Sequence, residues 1–207
     1  MARISRDPDD TPIAQKILAA AIRQFGKAGF EASLQDIAKD AGVTAAGVYY
    51  HYTDKRELLF RCLEWMASSL YEACKPAESI PEPDRALKFF VSTYIIYQVR
   101  QFAQIAPMYA SLVHGTRHQQ HRLSAKQQKA LRELEHRTLD LLRKIIQSGR
   151  TQRSFKIDNP KLAAFAIIGM AEHTLNWVDP AGELDVTSIA KHYAELALRL
   201  VGASEKA

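Results

Sequence analysis

Between residues 33 and 55 the chain reads SLQDIAKDAGVTAAGVYYHYTDK, and this stretch limits the possible folds more tightly than any other. Ser33 suits a helix N-cap, and Leu34, Ile37, Ala38 and Ala41 form an apolar stripe at helical spacing. Gly42 follows at once, where a helix closes on a left-handed residue that only a side chain without Cβ adopts cheaply. Thr44 then caps a second short helix that turns Val48 inward. Two short helices, a turn of about three residues opened by glycine, and small Ala38 at the crossing make a helix-turn-helix. The second helix carries Thr44, Ala45, Tyr49 and His51 outward, a short and mostly uncharged set that fits against base edges in a major groove.

A helix pair with a glycine turn also serves as a plain structural corner. The aromatic run argues for more than that. Tyr49, Tyr50, His51 and Tyr52 are consecutive, so they point round most of the helix, whereas a buried helix needs only one or two of them inward. The other polar-tipped rings face water or a partner, and phenol and imidazole groups suit phosphate oxygens. The candidate DNA contacts are Ser33, Gln35, Thr44, Ala45, Gly47, Tyr49, Tyr50, His51 and Lys55. Tyr50 has packing inward as its alternative. Gly47 admits close approach of backbone to DNA, and Lys55 meets phosphate in the first turn of the next helix, where the helix N-terminus also favours an anion. Arg3 and Arg6 either reach a minor groove or further phosphates, or belong to a solvated tail.

From residue 13 to about residue 64 the chain resembles the DNA-binding domain of the tetracycline-repressor (TetR) family of transcriptional regulators. The resemblance rests on Ile17, Ala20 to Phe25, Gly29-Phe30, Ile37-Ala38, Ala41 to Val43, Gly47 to Tyr52, Lys55 and Leu58-Leu59. It covers about a quarter of the chain and implies a ligand-responsive regulator, most often a repressor, that binds a near-palindromic operator as a twofold dimer. The two recognition helices then sit about 34–36 Å apart, one turn of DNA.

Net charge alone does not carry this reading. The total is +5, yet residues 1–75 hold ten Lys/Arg against ten Asp/Glu, while residues 98–156 hold twelve against three. The excess lies outside the helix-turn-helix, so few cations face DNA and binding is expected to depend only weakly on salt. With 207 residues, 47% of them hydrophobic, the chain has ample material for a core in one or two domains. The longest apolar run, residues 162–171, is too short to span a bilayer, and the N-terminus with Asp7, Asp9 and Asp10 does not read as a secretory signal. Cys62 and Cys74 fall on different faces of one expected helix, so no disulfide framework is expected and a cytoplasmic setting fits.

Strand patterns and internal repeats are almost absent, and the expected fold is all-α with about nine helices, homodimeric. Helix one spans residues 11–28, with Ile13, Ile17, Ala20, Ala21, Gln24 and Phe25 on its buried side and Gly29 ending it. Helices two and three are the motif. Asp54 to Glu57 forms a capping box opening helix four, which runs to about residue 74. Three prolines between 76 and 83 break the chain and mark a junction between halves. Helices at 84–101, 105–116 and 124–148 follow, then a loop at 149–157. Asn159 and Pro160 open a helix to about residue 178, and the last helix covers 187–201. Residues 1–55 are assigned to a DNA-binding domain and 56–207 to an effector-binding and dimerisation domain.

The last two helices carry more apolar face than one bundle needs. Residues 162–170 are apolar nearly all round, and such a helix must be covered on every side. A four-helix contact between two copies is expected through Phe165, Ile168, Ile189, Tyr193, Leu196 and Leu200, with a wholly intramolecular core as the alternative. The resemblance further implies an effector pocket inside the C-terminal bundle, whose occupation spreads the two heads. Tyr94, Tyr97, Phe102, Met108, Tyr109, Phe165, Met170, His173 and Trp177 are its candidate lining, although aromatics at helical spacing are commonly plain core. The segment 176–184, NWVDPAGEL, resembles the end of TetR-type regulators that respond to acyl-CoA thioesters. Arg117, Arg122, Arg150 and Arg153 would then meet CoA phosphates; a solvated basic face is the alternative. A regulator responsive to drugs or aromatic ligands, and a helical dimer module that reads no DNA, are the rival functions.

Other chemistry is poorly supported. His114, His118 and His121 share a helical face, but no Cys or carboxylate sits nearby and Arg117 and Arg122 repel a cation, so no metal is assigned. A Ser-His-Asp order, a glycine-rich phosphate loop and paired carboxylates are all missing, and no enzyme activity or cofactor is expected.

Overall fold

The computed structural model describes residues 12–102, 123–179 and 182–203. Among these there are eight α-helices and no strand. They are α1 (Pro12–Ala28), α2 (Leu34–Ala41), α3 (Ala45–His51), α4 (Lys55–Cys74), α5 (Pro83–Phe102), α6 (Ala125–Thr151), α7 (Pro160–His173) and α8 (Val186–Leu200). Short 3₁₀ turns cover Gly29–Glu31, Lys75–Ser79 and Thr174–Asn176. The helix expected at 105–116 lies outside the described residues, together with Met108, Tyr109, His114, His118, His121, Arg117 and Arg122. So do Arg3 and Arg6, and Phe102 is placed only as the last residue of α5. No described helix is long and apolar enough to cross a membrane. The chain divides into two compact units, Met1–Trp65 with Gln104–Leu131, and Met66–Ala103 with Arg132–Ala207.

In the first unit α1 buries Ala14, Ile17, Leu18, Ala21 and Phe25, positions three or four apart. Ile13, expected on that face, is 49% exposed, and Ala14 takes the inward position instead. Gly29 ends the helix at φ +58°, a conformation that costs glycine little. Ile37 and Ala38 of α2, Val48 of α3 and Leu58, Leu59, Cys62 and Leu63 of α4 are also buried. Each large side chain removed from water here contributes about 1.5–3 kcal/mol.

In the second unit α5 lies along α8. Leu87, Phe90, Val91, Tyr94 and Ile95 of α5 share one core with the row Ala190, Ala194 and Ala197 of α8, whose small side chains allow close approach. Cys74 is free and buried in this core, and burial pushes its thiol up to about 12.

Two boundaries differ from the sequence reading, each for a packing reason. Gly149 does not end α6, which continues to Thr151. The chain turns back through Arg153 at φ +59°, and Ser154 and Phe155 both donate their N–H groups to the Gly149 carbonyl, at 2.9 and 3.1 Å. The Phe155 ring then lies where a Cβ on Gly149 would be, 2.1 Å from Phe155 Cδ2, so the glycine is a seat for a ring. Helix α7 stops at His173 rather than near residue 178, because the chain tightens into the 3₁₀ turn Thr174–Asn176 with Thr174 buried. At its start the expected cap forms, with Asn159 Oδ1 accepting from the N–H groups of Lys161 and Leu162 at 3.1 and 3.2 Å.

Candidate nucleic-acid interface

The motif helices are set by their caps. Ser33 Oγ accepts the Asp36 N–H at 3.0 Å and opens α2, and its own proton goes to the Asp36 carboxylate at 2.6 Å. Gly42, at φ +69° and ψ +31°, lets Gly42 and Val43 return their N–H groups to Lys39 and Ala38 at 3.2 and 2.9 Å. Thr44 Oγ1 accepts the Gly47 N–H at 3.1 Å and opens α3. That leaves the exposed Thr44 hydroxyl proton for a partner.

Along α3 one side is anchored and the other is open. Val48 and Tyr52, four apart, are each 1% exposed, and the Tyr52 hydroxyl donates to the Ala14 carbonyl at 3.4 Å, tying the end of α3 to α1. Tyr49 is 56% and Tyr50 85% exposed. The inward alternative for Tyr50 therefore falls, since Tyr52 is the ring that packs. Ala46, absent from the sequence-based set, is exposed with Tyr49 and Tyr50 at the i, i+3, i+4 spacing of one face, while Ala45 is half-buried. A Cβ on Gly47 would stand 3.5 Å from Thr44 Oγ1, an ordinary contact, so nothing within the head requires glycine there. Gln35 is exposed and Ser33 half-buried.

His51 is half-buried, its ring edge-on to Tyr50 with centroids 5.2 Å apart. Its Nδ1 is buried without a partner. A buried bare acceptor costs less than a buried bare N–H, so we place the ring proton on Nε2, leaving that nitrogen to donate. At the start of α4, Asp54 Oδ1 accepts from the N–H groups of Arg56 and Glu57 at 2.7 and 2.8 Å. The expected capping box forms with one difference: Glu57 reaches back to the Thr53 N–H, at 2.7 Å, rather than to Asp54. Lys55 is half-buried, with its Nζ 4.7 Å from the centroid of the Phe30 ring.

A second brace was not legible from spacing. Asp40 sits in the last turn of α2, where the negative end of the helix disfavours a carboxylate. Arg23 of α1 grips both its oxygens, at 3.0 and 3.1 Å, and Gln24 adds a bond of 3.1 Å. The Arg23 hydrogen bond, then that from Gln24, hold the Asp40 carboxyl below its ordinary 3.8. A depressed folded-state value means the stabilisation is present above pH 3.8 and is lost as pH falls through the folded value. Because the pair is solvent-facing, it contributes at most about 0.5–1 kcal/mol. Asp40→Asn is expected to lower the unfolding free energy from urea titration at pH 7 by that amount and to leave it unchanged near pH 2. An equal deficit at both pH values would assign the loss to packing.

The candidates in the second unit are dispersed. Tyr94 is buried, stacked on Phe90 at 5.9 Å, with its hydroxyl 3.3 Å from Glu172 Oε1. Tyr97 and Met170 are half-buried. His173 is exposed, its Nδ1 3.3 Å from the Asn176 amide nitrogen, and Trp177 is 44% exposed with its ring 6.5 Å from that of Tyr193. Phe165, named for both ligand and dimer contact, points outward at 49% exposure beneath the Arg143 guanidinium, 5.1 Å away, and so does not share an interior with Tyr94. Ile189, named for the dimer, is 8% exposed and packs in the chain's own core. Ile168, Tyr193 and Leu196 are half-buried and Leu200 is 37% exposed. Arg150 and Arg153 are exposed.

Comparison with known proteins places this geometry. Residues 17–62 match the family described as bacterial regulatory proteins, tetR family, and residues 97–201 match the tetracyclin repressor-like C-terminal domain. The chain is 35% identical over 79 residues to the HTH-type transcriptional dual regulator CecR of Shigella flexneri, the match covering 35% of each chain. It is 28% identical over 144 residues to the HTH-type transcriptional repressor NicS of Pseudomonas putida, covering 69% of this chain and 65% of that one. The matches thus span about a third and just under two thirds of those relatives' lengths. Among solved structures it is similar to the TetR family regulator PfmR from Thermus thermophilus, with TM-score 0.77 and 27% identity over 88% of this chain and 97% of that one. AibR, solved in complex with isovaleryl coenzyme A and operator DNA, shares the fold at TM-score 0.74 and 22% identity over 92% of this chain and 98% of that one. The head built around the capped α2–α3 pair and the C-terminal helices are both matched, and the chain belongs to the TetR family of transcriptional regulators.

Proposed function

We propose that this regulator binds a near-palindromic operator as a homodimer and acts as a repressor, released by a small hydrophobic or acyl-CoA-like effector. The observation that carries the DNA part is the polarity of α3. Val48 and Tyr52 lock one side into the head, while Ala46, Tyr49 and Tyr50 stand in solvent with the Thr44 hydroxyl at the helix start. Small side chains beside phenols let the helix approach base edges while the phenols, His51 Nε2 and Lys55 reach phosphates.

The dimer reading rests on α7. Leu162 is 63% exposed, Phe165 is half exposed, and Ala166 and Gly169 lie exposed on the same face. A Cβ on Gly169 would meet nothing within 4 Å. A mid-helix glycine in open solvent costs about 1 kcal/mol relative to alanine, and close crossing by a helix of a second copy gives it a use. Leu196 and Leu200 extend the face on α8, without Ile189. The effector class rests on the segment 176–184, on exposed Arg150 and Arg153, and on the ligand named for AibR.

Fluorescence anisotropy on the duplex that the protein selects from a randomised library tests the first part. Tight binding is expected with a slope of log K against log salt of about −2 to −4, since few cations face the DNA. A slope near −10 overturns the placement of contacts, and failure to select any duplex favours a dimer module that reads no DNA. For the effector, an acyl-CoA at one hundred times its Kd stabilises by about 2.7 kcal/mol, which raises Tm by roughly 5–10 °C and releases the duplex. Stabilisation by aromatic drugs but by no CoA ester moves the effector to that class.

A further inference from the structure

We infer that Phe30 is a positioning residue for DNA binding: its ring holds the Lys55 ammonium in place for a phosphate without neutralising it. This rests on the DNA-binding reading above.

Lys55 opens α4 directly after the loop that leaves the recognition helix. Its location is electrostatically awkward, because the positive end of α4 repels an ammonium. The neighbouring acids do not hold it. Asp54 spends Oδ1 on the N–H groups of Arg56 and Glu57, and Glu57 turns back to Thr53. Among the described residues Lys55 makes no ion pair, and its Nζ lies 4.7 Å from the centroid of Phe30. Phe30 belongs to the 3₁₀ turn Gly29–Glu31 between α1 and α2, so a side chain 25 positions away supplies the seat.

An aromatic face does something a carboxylate cannot do here. Two cations of the head are paired with acids: Arg23 is gripped by Asp40, and Arg61 lies 2.8 Å from Glu64. A carboxylate under Lys55 would order it equally well but cancel the charge that a phosphate needs. The ring quadrupole attracts the ammonium, carries no net charge, and leaves its outer N–H donors to water or phosphate. A lysine already ordered in the free protein also loses less side-chain freedom on binding.

A double-mutant cycle on the selected duplex tests this, with Phe30→Leu, Lys55→Met and both together. Phe30→Leu is expected to weaken binding about 2–5-fold per head while Lys55 is present, the range for an exposed cation–π contact, and to have no effect beside Lys55→Met. Phe30→Tyr keeps a ring face and is expected to bind like the parent chain. In the free protein the Lys55 ε-protons are expected upfield through the ring current, returning to ordinary positions in Phe30→Leu. Stepwise fluorination of the Phe30 ring keeps its shape while draining the face of negative charge, so affinity should fall with each fluorine even if Phe30→Leu folds poorly. Equal losses with and without Lys55, a flat fluorine series, or unshifted ε-protons would each overturn the inference while leaving the DNA-binding reading intact. If the parent chain selects no duplex, that reading fails and takes this role with it, whereas the upfield shift is read without DNA.

Discussion

Replacing Tyr49 and His51 together with alanine is expected to abolish operator binding while leaving the fold and the oligomeric state unchanged. Tyr49 is 56% exposed and absent from the head's core, so its ring can be removed at little cost to stability. His51 contributes no hydrogen bond through its buried Nδ1, so its loss orphans no partner there. A hydrogen bond to a charged group contributes about 1.5–3 kcal/mol. Two such contacts in each head, counted over a dimer, amount to roughly 6–12 kcal/mol, or at least about a ten-thousand-fold loss of affinity. Anisotropy on the selected duplex, with circular dichroism and size-exclusion chromatography as controls, reads both halves of the prediction. Binding within tenfold of the parent chain would remove α3 from the interface. Tyr52→Ala provides the contrast. That ring is buried and bonded to Ala14, so its removal costs about 3–5 kcal/mol and unfolds the head rather than blunting its surface.

Leu162→Asp combined with Phe165→Asp is expected to convert the protein to a monomer and reduce operator affinity at least a hundredfold. Leu162 stands at 63% and Phe165 at 49% exposure, so neither supplies core stability that the change would forfeit. In a twofold contact each substitution occurs twice. Burying Leu and Phe contributes about 1.5–3 kcal/mol apiece, so roughly 6–12 kcal/mol is lost, before counting repulsion between the introduced carboxylates. Arg143, which now lies over the Phe165 ring, would pair with the new acid within one chain and offer nothing across the interface. Sedimentation velocity reads the mass, and thermal unfolding verifies that the monomer remains folded. A dimer that survives both changes would relocate the contact away from α7. Weaker operator binding follows because one head engages only one half-site.

Much of the head was legible from local chemistry. Ser33, Gly42 and Thr44 each act within three or four residues, and their caps form where the sequence places them. Val48 inward follows from helical periodicity alone. What spacing left open was which neighbour of an apolar pair turns in. Ile13 is the larger residue, yet Ala14 is buried, because Ala14 shares the stripe of Ile17, Leu18 and Ala21 that packs inward. Tyr50 had packing inward as its alternative, but Tyr52, anchored to α1, is the ring that turns in.

Longer-range pairings were beyond reach for a plain reason. The Arg23–Asp40 brace, the Lys55–Phe30 seat and the Gly149–Phe155 contact each require knowing how one helix or loop returns over another. A glycine that ends a helix and a glycine that receives a ring look alike in one dimension. Residue types and their periods settled the helical class, the motif and the caps, since these are decided by backbone preferences within a turn or two. Which of the apolar and charged side chains meet one another, and which stay exposed on α3 and α7, depended on where the helices pack, because burial and charge pairing are properties of surfaces that only the folded chain brings together.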